Sequence, residues 1–335
     1  MPWAGAKAMV VLEVLARAAT GRPGIVVGCF TGRCRSLTSS PVMVMRSNLD
    51  PSRGLGWGAF LAGFVPGLLQ WRLGQTQRAL LAFASCMALF FVGWVFVRER
   101  LFWWALLTAD AQNASKGSLV DMRTLAQFGL PLSLPELLNL PANALGAILA
   151  WDGSPIGERM WRRPRDLEYL GSFLTAASGM LAAFWSAAGH WDLRVKRDAG
   201  NDAPRPIANP ALCAALSWLV PGLGHAKAGQ KDKGLLMGAA VLLVFAMGLL
   251  FSQGHAVDRA TASVWWIGQN LCGLGSLFAA LVTSSLQMQS TPANLDLGII
   301  LCTVAGLMNL VVMVDAYTVA ERSVFPVKKA GEVVA

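Results

Sequence analysis

The sequence predicts an all-α, polytopic helical membrane protein with about eight apolar segments in two repeated halves. Of its 335 residues, 55% are hydrophobic and only 14% are charged, whereas an average soluble domain carries about 25% charged residues. The mean hydropathy of +0.50 points the same way. These values exclude a disordered chain, a fibrous repeat and a conventional soluble enzyme, and they are typical of a protein whose surface contacts lipid.

The apolar residues from Gly54 onward are grouped in runs that polar loops separate. A helix needs about 20 apolar residues to cross a bilayer, and backbone groups in lipid must be hydrogen-bonded internally, so we expect the runs to be helices. The first and fifth runs are short, and Pro-Gly interrupts each of them. The predicted segments are Trp57–Trp71, Ala79–Val97, Leu134–Trp151, Leu167–Gly189, Ala211–Ala226, Gly234–Phe251, Val264–Leu286 and Leu295–Ala320.

Residues 1–48 differ in composition from the rest, with five basic residues before Arg46 and short, interrupted apolar stretches. We expect them to be a leader that is either disordered or upstream of the true start, at Met43 or Met45. The remaining chain divides into a first membrane repeat over 49–200, a linker over 201–210, a second membrane repeat over 211–323 and a tail over 324–335. The three prolines of the linker are typical of a connecting segment.

An internal repeat is the strongest signal in the chain. Residues 66–81 align without gaps on residues 221–236, and Pro-Gly-Leu, Gly-Gln and a closing Leu-Leu coincide in the two stretches. This agreement favours duplication, which is frequent in secondary transporters. If all eight segments span the membrane, the two halves share one orientation. If the Pro-Gly segments enter and return to the same side, each half has three spans and the halves are inverted. The sequence leaves both topologies open.

The two Pro-Gly motifs form the candidate binding site. Proline ends the preceding helix and glycine permits a turn with positive φ, so we expect each segment to break and the second to resume as a helix near Gly234. Broken helices hold ions or substrates in transporters, but a tight loop at the membrane surface is the interpretation we favour. The candidate residues are Pro66, Gly67, Gly74, Gln75, Pro221, Gly222, Gly224, His225, Lys227, Gly229 and Gln230.

Two further candidates lie in the last apolar run. Asn309 has an amide that can bond across helices, and Asp315 is a carboxylate close to the expected helix end, where pairing at the membrane interface is favoured over a catalytic role. The three histidines fall in separate loops or loop edges, and four of the six cysteines lie within apolar runs. We therefore predict no catalytic residues, no metal and no cofactor.

The net charge of +9 comes from basic residues in short loops. Such charge sets membrane topology and contacts lipid headgroups. No basic stripe with interleaved aromatic residues occurs, so nucleic acid is excluded as a partner. The predicted partners are the lipid bilayer and other membrane proteins or further copies of the chain, and the predicted location is the inner (cytoplasmic) membrane.

The segment Ser217–His225, followed by Gly229-Gln230 and Lys233-Gly234-Leu235, resembles an uncharacterised bacterial multi-pass membrane family. Members of that family carry a Pro-Gly-Leu-Gly-His…Gly-Gln…Lys-Gly-Leu motif. The layout is also distantly similar to the two-transmembrane domain class, in which a late Asp follows, a position that Asp315 would occupy. The first half departs from the motif at Leu69, Gln70 and Ala79. The resemblance implies a helical integral membrane protein and supplies no reaction.

Three functions are compatible with the sequence. The favoured one is a non-enzymatic scaffold or interaction protein of unknown specific activity. The alternative is a small-solute or ion transporter with a site at the Pro-Gly motifs, although few polar residues lie within the apolar runs. A membrane enzyme is the least favoured, because the sequence carries no hydrolase, zinc or nucleotide-binding motif.

Overall fold

In the computed structural model, the described residues are 63–97, 101, 135–150, 166–198, 207–259, 262–286 and 292–325, all within the compact unit Leu49–Ala335. The regular secondary structure in these ranges is helical. The predicted leader, residues 57–62 of the first apolar segment, the linker up to residue 206 and the tail from residue 326 lie outside the described residues.

Among the described residues, four helices are long and apolar enough to cross a membrane. Large side chains on the helix Lys231–Phe251, such as Leu235, Leu243 and Leu250, are 76%, 64% and 78% exposed, as expected for a surface that contacts lipid. The long helices are α2 (Thr76–Val97), α4 (Asp166–Asp198), α7 (Lys231–Phe251) and α10 (Leu295–Arg322).

Glycines bring the long helices together in two antiparallel pairs. A Cβ atom on Gly93 of α2 would lie 2.6 Å from the Gly171 carbonyl oxygen of α4, and one on Gly298 of α10 would lie 2.6 Å from the Gly248 carbonyl oxygen of α7. Small residues permit this close approach, which supplies the packing energy between helices in lipid.

Ion pairs show which helix ends lie together. The first residues of α2 and α7 meet the last turns of α4 and α10, and the last turns of α4 and α10 meet each other. We call this side of the bundle the near end and the opposite side the far end. The three pairs are Arg78–Asp192, Lys233–Asp315 and Arg194–Glu321.

The remaining helices are short. Helix α5 (Pro210–Leu219), for example, has 10 residues. Its length is about 15 Å, which is half of the thickness of a bilayer core. Asn209 caps α5 by accepting hydrogen bonds from the amides of Ala211 and Leu212. The short elements are α1 (Leu68–Arg72), α3 (Leu140–Ala150), α5 (Pro210–Leu219), α6 (Leu223–Lys227), α8 (Ser263–Gln269) and α9 (Leu274–Ser285), with 3-10 turns at Glu136–Asn139 and Asn270–Cys272.

Helices α5 and α6 with the turn between them form hairpin A, residues 210–227, which enters the bundle and returns to the near end. Ala208 before the hairpin and Ala228 after it share one buried cluster with Ala316 and Ala320 of α10. Between them, the carbonyl oxygen of Ser217 accepts a hydrogen bond from Asn309 in the middle of α10. Hairpin A therefore reaches about half of the depth of the helix bundle.

Helix α8, the second 3-10 turn and α9 form hairpin B, residues 263–285, which enters from the far end. The hydroxyl of Thr283, close to the end of α9, donates to the carbonyl oxygen of Gly254, which directly follows α7. The carbonyl oxygen of Leu271, at the tip, accepts from the same Asn309 side chain. Hairpin B therefore also returns after reaching half depth.

The described helices match neither open topology in full: the segment Ala211–Ala226 enters and returns, as in the second, but Val264–Leu286 also returns. The segment Val264–Leu286, predicted as one helix, is broken at Gly273, whose φ of 50° is in the region that favours glycine. Among the described residues, two long helices lie within 49–200 and two within 211–323, rather than three or four in each range. Both Pro-Gly motifs lead into a long helix that begins at the near end.

Candidate polar site at the hairpin junction

The tips of hairpins A and B meet beside Asn309, about 21 Å along the 28-residue helix α10. Trp218 Nε1 donates a 3.0 Å hydrogen bond to the carbonyl oxygen of Asn270. Asn309 Nδ2 donates to the carbonyl oxygens of Ser217 and Leu271, at 3.0 and 2.7 Å. One amide thus bridges two hairpins that enter from opposite ends.

Several polar atoms at this junction have no hydrogen-bond partner among the described residues. Asn270 and Asn309 are completely buried. Both side-chain polar atoms of Asn270 and the side-chain oxygen of Asn309 are unpaired. Buried polar groups are nearly always hydrogen-bonded because an unpaired group loses its hydration without compensation. The two asparagines therefore offer one free amide NH2 group, with two N–H donors, and two free carbonyl oxygens in the centre of the bundle.

A charged network joins hairpin A to α7 and α10 at the near end. The side chain of His225 is fully buried, and its Nε2 lies 2.7 Å from Asp315 Oδ2. Lys233 Nζ lies 2.5 Å from the same oxygen. His225 Nδ1 is buried without a partner in the described ranges. Of the residues selected from the sequence, His225 and Asp315 are thus brought into direct contact, two turns before the end of α10.

The two Pro-Gly motifs adopt the same backbone conformation. Gly67 and Gly222 have φ of 82° and 84°, and Gly74 and Gly229 have φ of 78° and 89°. Corresponding hydrogen bonds recur, as in Gln75 N to Gln70 O and Gln230 N to His225 O. The expected single turn before Gly234 is thus two glycine turns, with a short helix between them and a long helix that begins at Lys231.

Side chains at equivalent positions of the two motifs differ in chemistry. Gln70 occupies the position of His225, is fully buried, and donates from Nε2 to the carbonyl oxygen of Trp185 at 2.6 Å. Arg78 occupies the position of Lys233 and contacts Asp192 Oδ2 at 2.6 Å. Each motif is therefore tied to a long helix, but only the second contains an imidazole.

The remaining candidate residues serve packing or lie at the surface. A Cβ atom on Gly222 would overlap the carbonyl oxygen of Gly234, and one on Gly224 would overlap that of Cys213. Pro221 packs on Gly238 of α7, and Pro66 is buried. Lys227 and Gln230 are exposed at the near end, and Gln75 accepts a 3.0 Å hydrogen bond from Arg78. These residues do not line the junction with Asn270.

A buried ion pair was not selected from the sequence. Glu136 and Arg259 have side-chain exposures of 0% and 4%, and Arg259 Nη1 lies 2.6 Å from Glu136 Oε1. Thr175 also donates to this carboxylate at 2.9 Å, and the guanidinium stacks 4.4 Å from the Trp266 ring centre. A signal was present, since Glu136 is the only charged residue in the predicted segment Leu134–Trp151, and intramembrane charges mark functional sites.

No group of three or more His, Cys, Asp or Glu side chains suited to a metal ion occurs within the described ranges. The four cysteines described there, Cys86, Cys213, Cys272 and Cys302, are buried and free.

Residues 212–329 match a family of unknown function, DUF6677. The match covers about a third of the chain, from hairpin A to beyond the end of α10. No curated protein and no solved structure matches the chain. The resemblance to an uncharacterised family is supported to this extent, and the motif itself and the similarity to the two-transmembrane class stay predictions. The apolar helices indicate an integral membrane protein whose activity the family leaves undefined.

Proposed function

We propose that the chain is a multi-pass protein of the inner membrane that binds a small solute or ion and moves it through the junction of hairpins A and B. The contact between the two hairpin tips at the midpoint of α10 is the observation that carries this proposal. Backbone that leaves a helix at membrane depth is tolerated only where it contacts protein or lines a water-filled cavity. Transporters use such broken helices to form binding sites near the bilayer midplane.

A duplicated architecture supports the same proposal. The Pro-Gly motifs share their backbone conformation, and the Gly93–Gly171 contact has its counterpart in Gly248–Gly298. We infer that two related halves share one orientation, and that each contributes a Pro-Gly motif to the near end. Internal repeats of this kind are frequent in transporters.

Flux through reconstituted protein tests the proposal. The full chain is placed in lipid vesicles, and the entry of K⁺, Na⁺, Cl⁻, urea and glycerol is compared with that into protein-free vesicles. We expect at least one solute to cross faster. W218F removes the hydrogen bond between the hairpin tips and should slow that flux, whereas W265F alters a Trp that is 48% exposed and should not. A flux that W218F and W265F change equally contradicts the proposal, as does the absence of flux.

A scaffold or interaction role remains the second candidate, because the charged side chains that anchor the hairpins are satisfied inside the fold. His225 and Lys233 both contact Asp315, and Arg259 contacts Glu136. Such internal pairing is what a rigid structural bundle requires. This function predicts recovery of a specific membrane partner, or a stable oligomer, together with vesicles that are no more permeable than protein-free ones.

A further inference from the structure

We propose that the transported solute is a small uncharged molecule that both donates and accepts hydrogen bonds, of the size of urea or glycerol, and that the side chains of Asn270 and Asn309 bind it. This inference rests on the proposed function and names the substrate class of the same junction.

The hydrogen-bonding groups that are free at the junction determine the chemical class of the solute. Asn270 keeps its amide NH2 group and its side-chain oxygen unpaired, and Asn309 keeps its side-chain oxygen unpaired. A neutral ligand with N–H or O–H groups and an oxygen satisfies donors and acceptors together. Because both side chains are fully buried, a ligand there exchanges its hydration for these bonds.

A bare cation is poorly suited to the junction. Oxygen-ligated cations typically take six or more oxygen ligands. Three carbonyl oxygens at the hairpin tips already accept one hydrogen bond each: those of Ser217 and Leu271 accept from Asn309, and that of Asn270 accepts from Trp218. Among the described residues, Asn270 and Asn309 provide two unpaired side-chain oxygens, and the neighbouring Gln269 provides one more, which is still fewer than six. Asp315, the closest charged residue along α10, is six residues away, about 9 Å along the axis.

An anion is equally unsuited. The amide nitrogen of Asn309 is committed to two carbonyl oxygens, so the amide nitrogen of Asn270 is the unpaired side-chain donor that these two asparagines provide. Burying a charge without a counter-charge or several donors is far costlier than burying a neutral polar group. The junction thus selects against both signs of charge.

The site is closed to both ends, since Asn270, Asn309 and Gln269 each have 0% exposure. Solute entry therefore requires movement of a hairpin. The left-handed residue Gly273 at the start of α9 gives hairpin B a turn between two separate helical arms, which is the geometry that such movement needs.

The test is stopped-flow light scattering on vesicles that contain the full chain, with urea and glycerol as osmotic probes and with K⁺ and Cl⁻ fluxes measured in parallel. Asn270→Leu keeps the approximate size of the side chain and removes its hydrogen bonds. Asn270→Ser keeps a donor and an acceptor. Asn294→Leu, at an exposed site before α10, is the control.

We expect urea or glycerol to cross wild-type vesicles, and Asn270→Leu to lower that permeability by about tenfold or more, because the ligand loses its hydrogen bonds. Asn270→Ser should retain part of this permeability, and the control Asn294→Leu should retain all of it. Asn270→Leu should melt no lower than the wild type, since an unpaired buried amide is removed. If Asn270→Leu does not fold, the comparison of Asn270→Ser with the control replaces it.

Three results overturn the inference. Full permeability in Asn270→Leu shows that the amide does not bind solute. Passage of water without urea or glycerol shows that the path excludes solutes of that size and overturns the proposed solute class. Passage of K⁺ or Cl⁻ without urea or glycerol overturns the neutral class but leaves the transport function standing, whereas no flux of any probe overturns both.

Discussion

Replacing Arg259 by Met removes the positive charge from its buried pair with Glu136. The two side chains are 4% and 0% exposed, so the carboxylate stays desolvated and loses its contact with the Arg259 guanidinium. Loss of one member of a buried pair costs about 3–5 kcal/mol. Thr175 continues to donate to the carboxylate, which favours the lower part of that range. We therefore expect R259M to lower the free energy of unfolding by about 3 kcal/mol.

The double variant R259M/E136L separates the charge effect from the loss of packing. Neutral side chains of similar volume can replace a buried ion pair at little cost, so the double variant should lie within about 1 kcal/mol of the wild type, above either single variant. Equilibrium unfolding in detergent measures all three. The control is R194M, because Arg194 is 43% exposed in its pair with Glu321 and such pairs contribute about 0–1 kcal/mol. A loss below about 1 kcal/mol in R259M, or additive single losses, refutes the reasoning.

The remaining predictions concern the second Pro-Gly motif. In G229A the new Cβ atom meets open space but the residue keeps a φ of 89°, so the free energy of unfolding should fall by about 1–2 kcal/mol. In G222A the Cβ atom also overlaps the Gly234 carbonyl oxygen, so the melting temperature should fall much further than in G229A. Equal shifts in melting temperature contradict this account of the motif. D315N removes the charge that His225 and Lys233 share, and should cost about 1–3 kcal/mol in unfolding experiments. K233A should lower the free energy of unfolding by less than about 1 kcal/mol, because Lys233 is 43% exposed. If K233A loses as much stability as D315N or more, the network described around Asp315 is contradicted.

The long helices were predictable because their signal is local. The segment Ala79–Val97 was expected and the helix is Thr76–Val97, and Leu295–Ala320 was expected where the helix is Leu295–Arg322. Each is an unbroken apolar run whose polar flanks mark its ends. The break at Pro221-Gly222 was also predictable, since proline and glycine change the backbone wherever they occur.

The depth and direction of the hairpins were not predictable from hydropathy. A run such as Val264–Leu286 has the same composition whether it spans once or enters and returns, and the glycines at 268, 273 and 275 do not show which of them turns the chain. The pairing of Asp315 with His225, and of Arg259 with Glu136, depends on which helix ends meet. Those contacts join residues 90 and 123 positions apart, a separation that no local pattern encodes.

Side-specific labelling tests the central claim, that two half-depth hairpins enter from opposite ends, most directly. Single cysteines at Ile207 and Lys231 flank hairpin A, and single cysteines at Gln253 and Ser285 flank hairpin B, in a background with the six native cysteines replaced. All four positions are exposed. An impermeant maleimide applied to one face of oriented vesicles should label Ile207→Cys and Lys231→Cys together, and only the opposite face should label Gln253→Cys and Ser285→Cys. Labelling of Ile207→Cys and Lys231→Cys from opposite faces would show that hairpin A crosses the membrane and would contradict the claim.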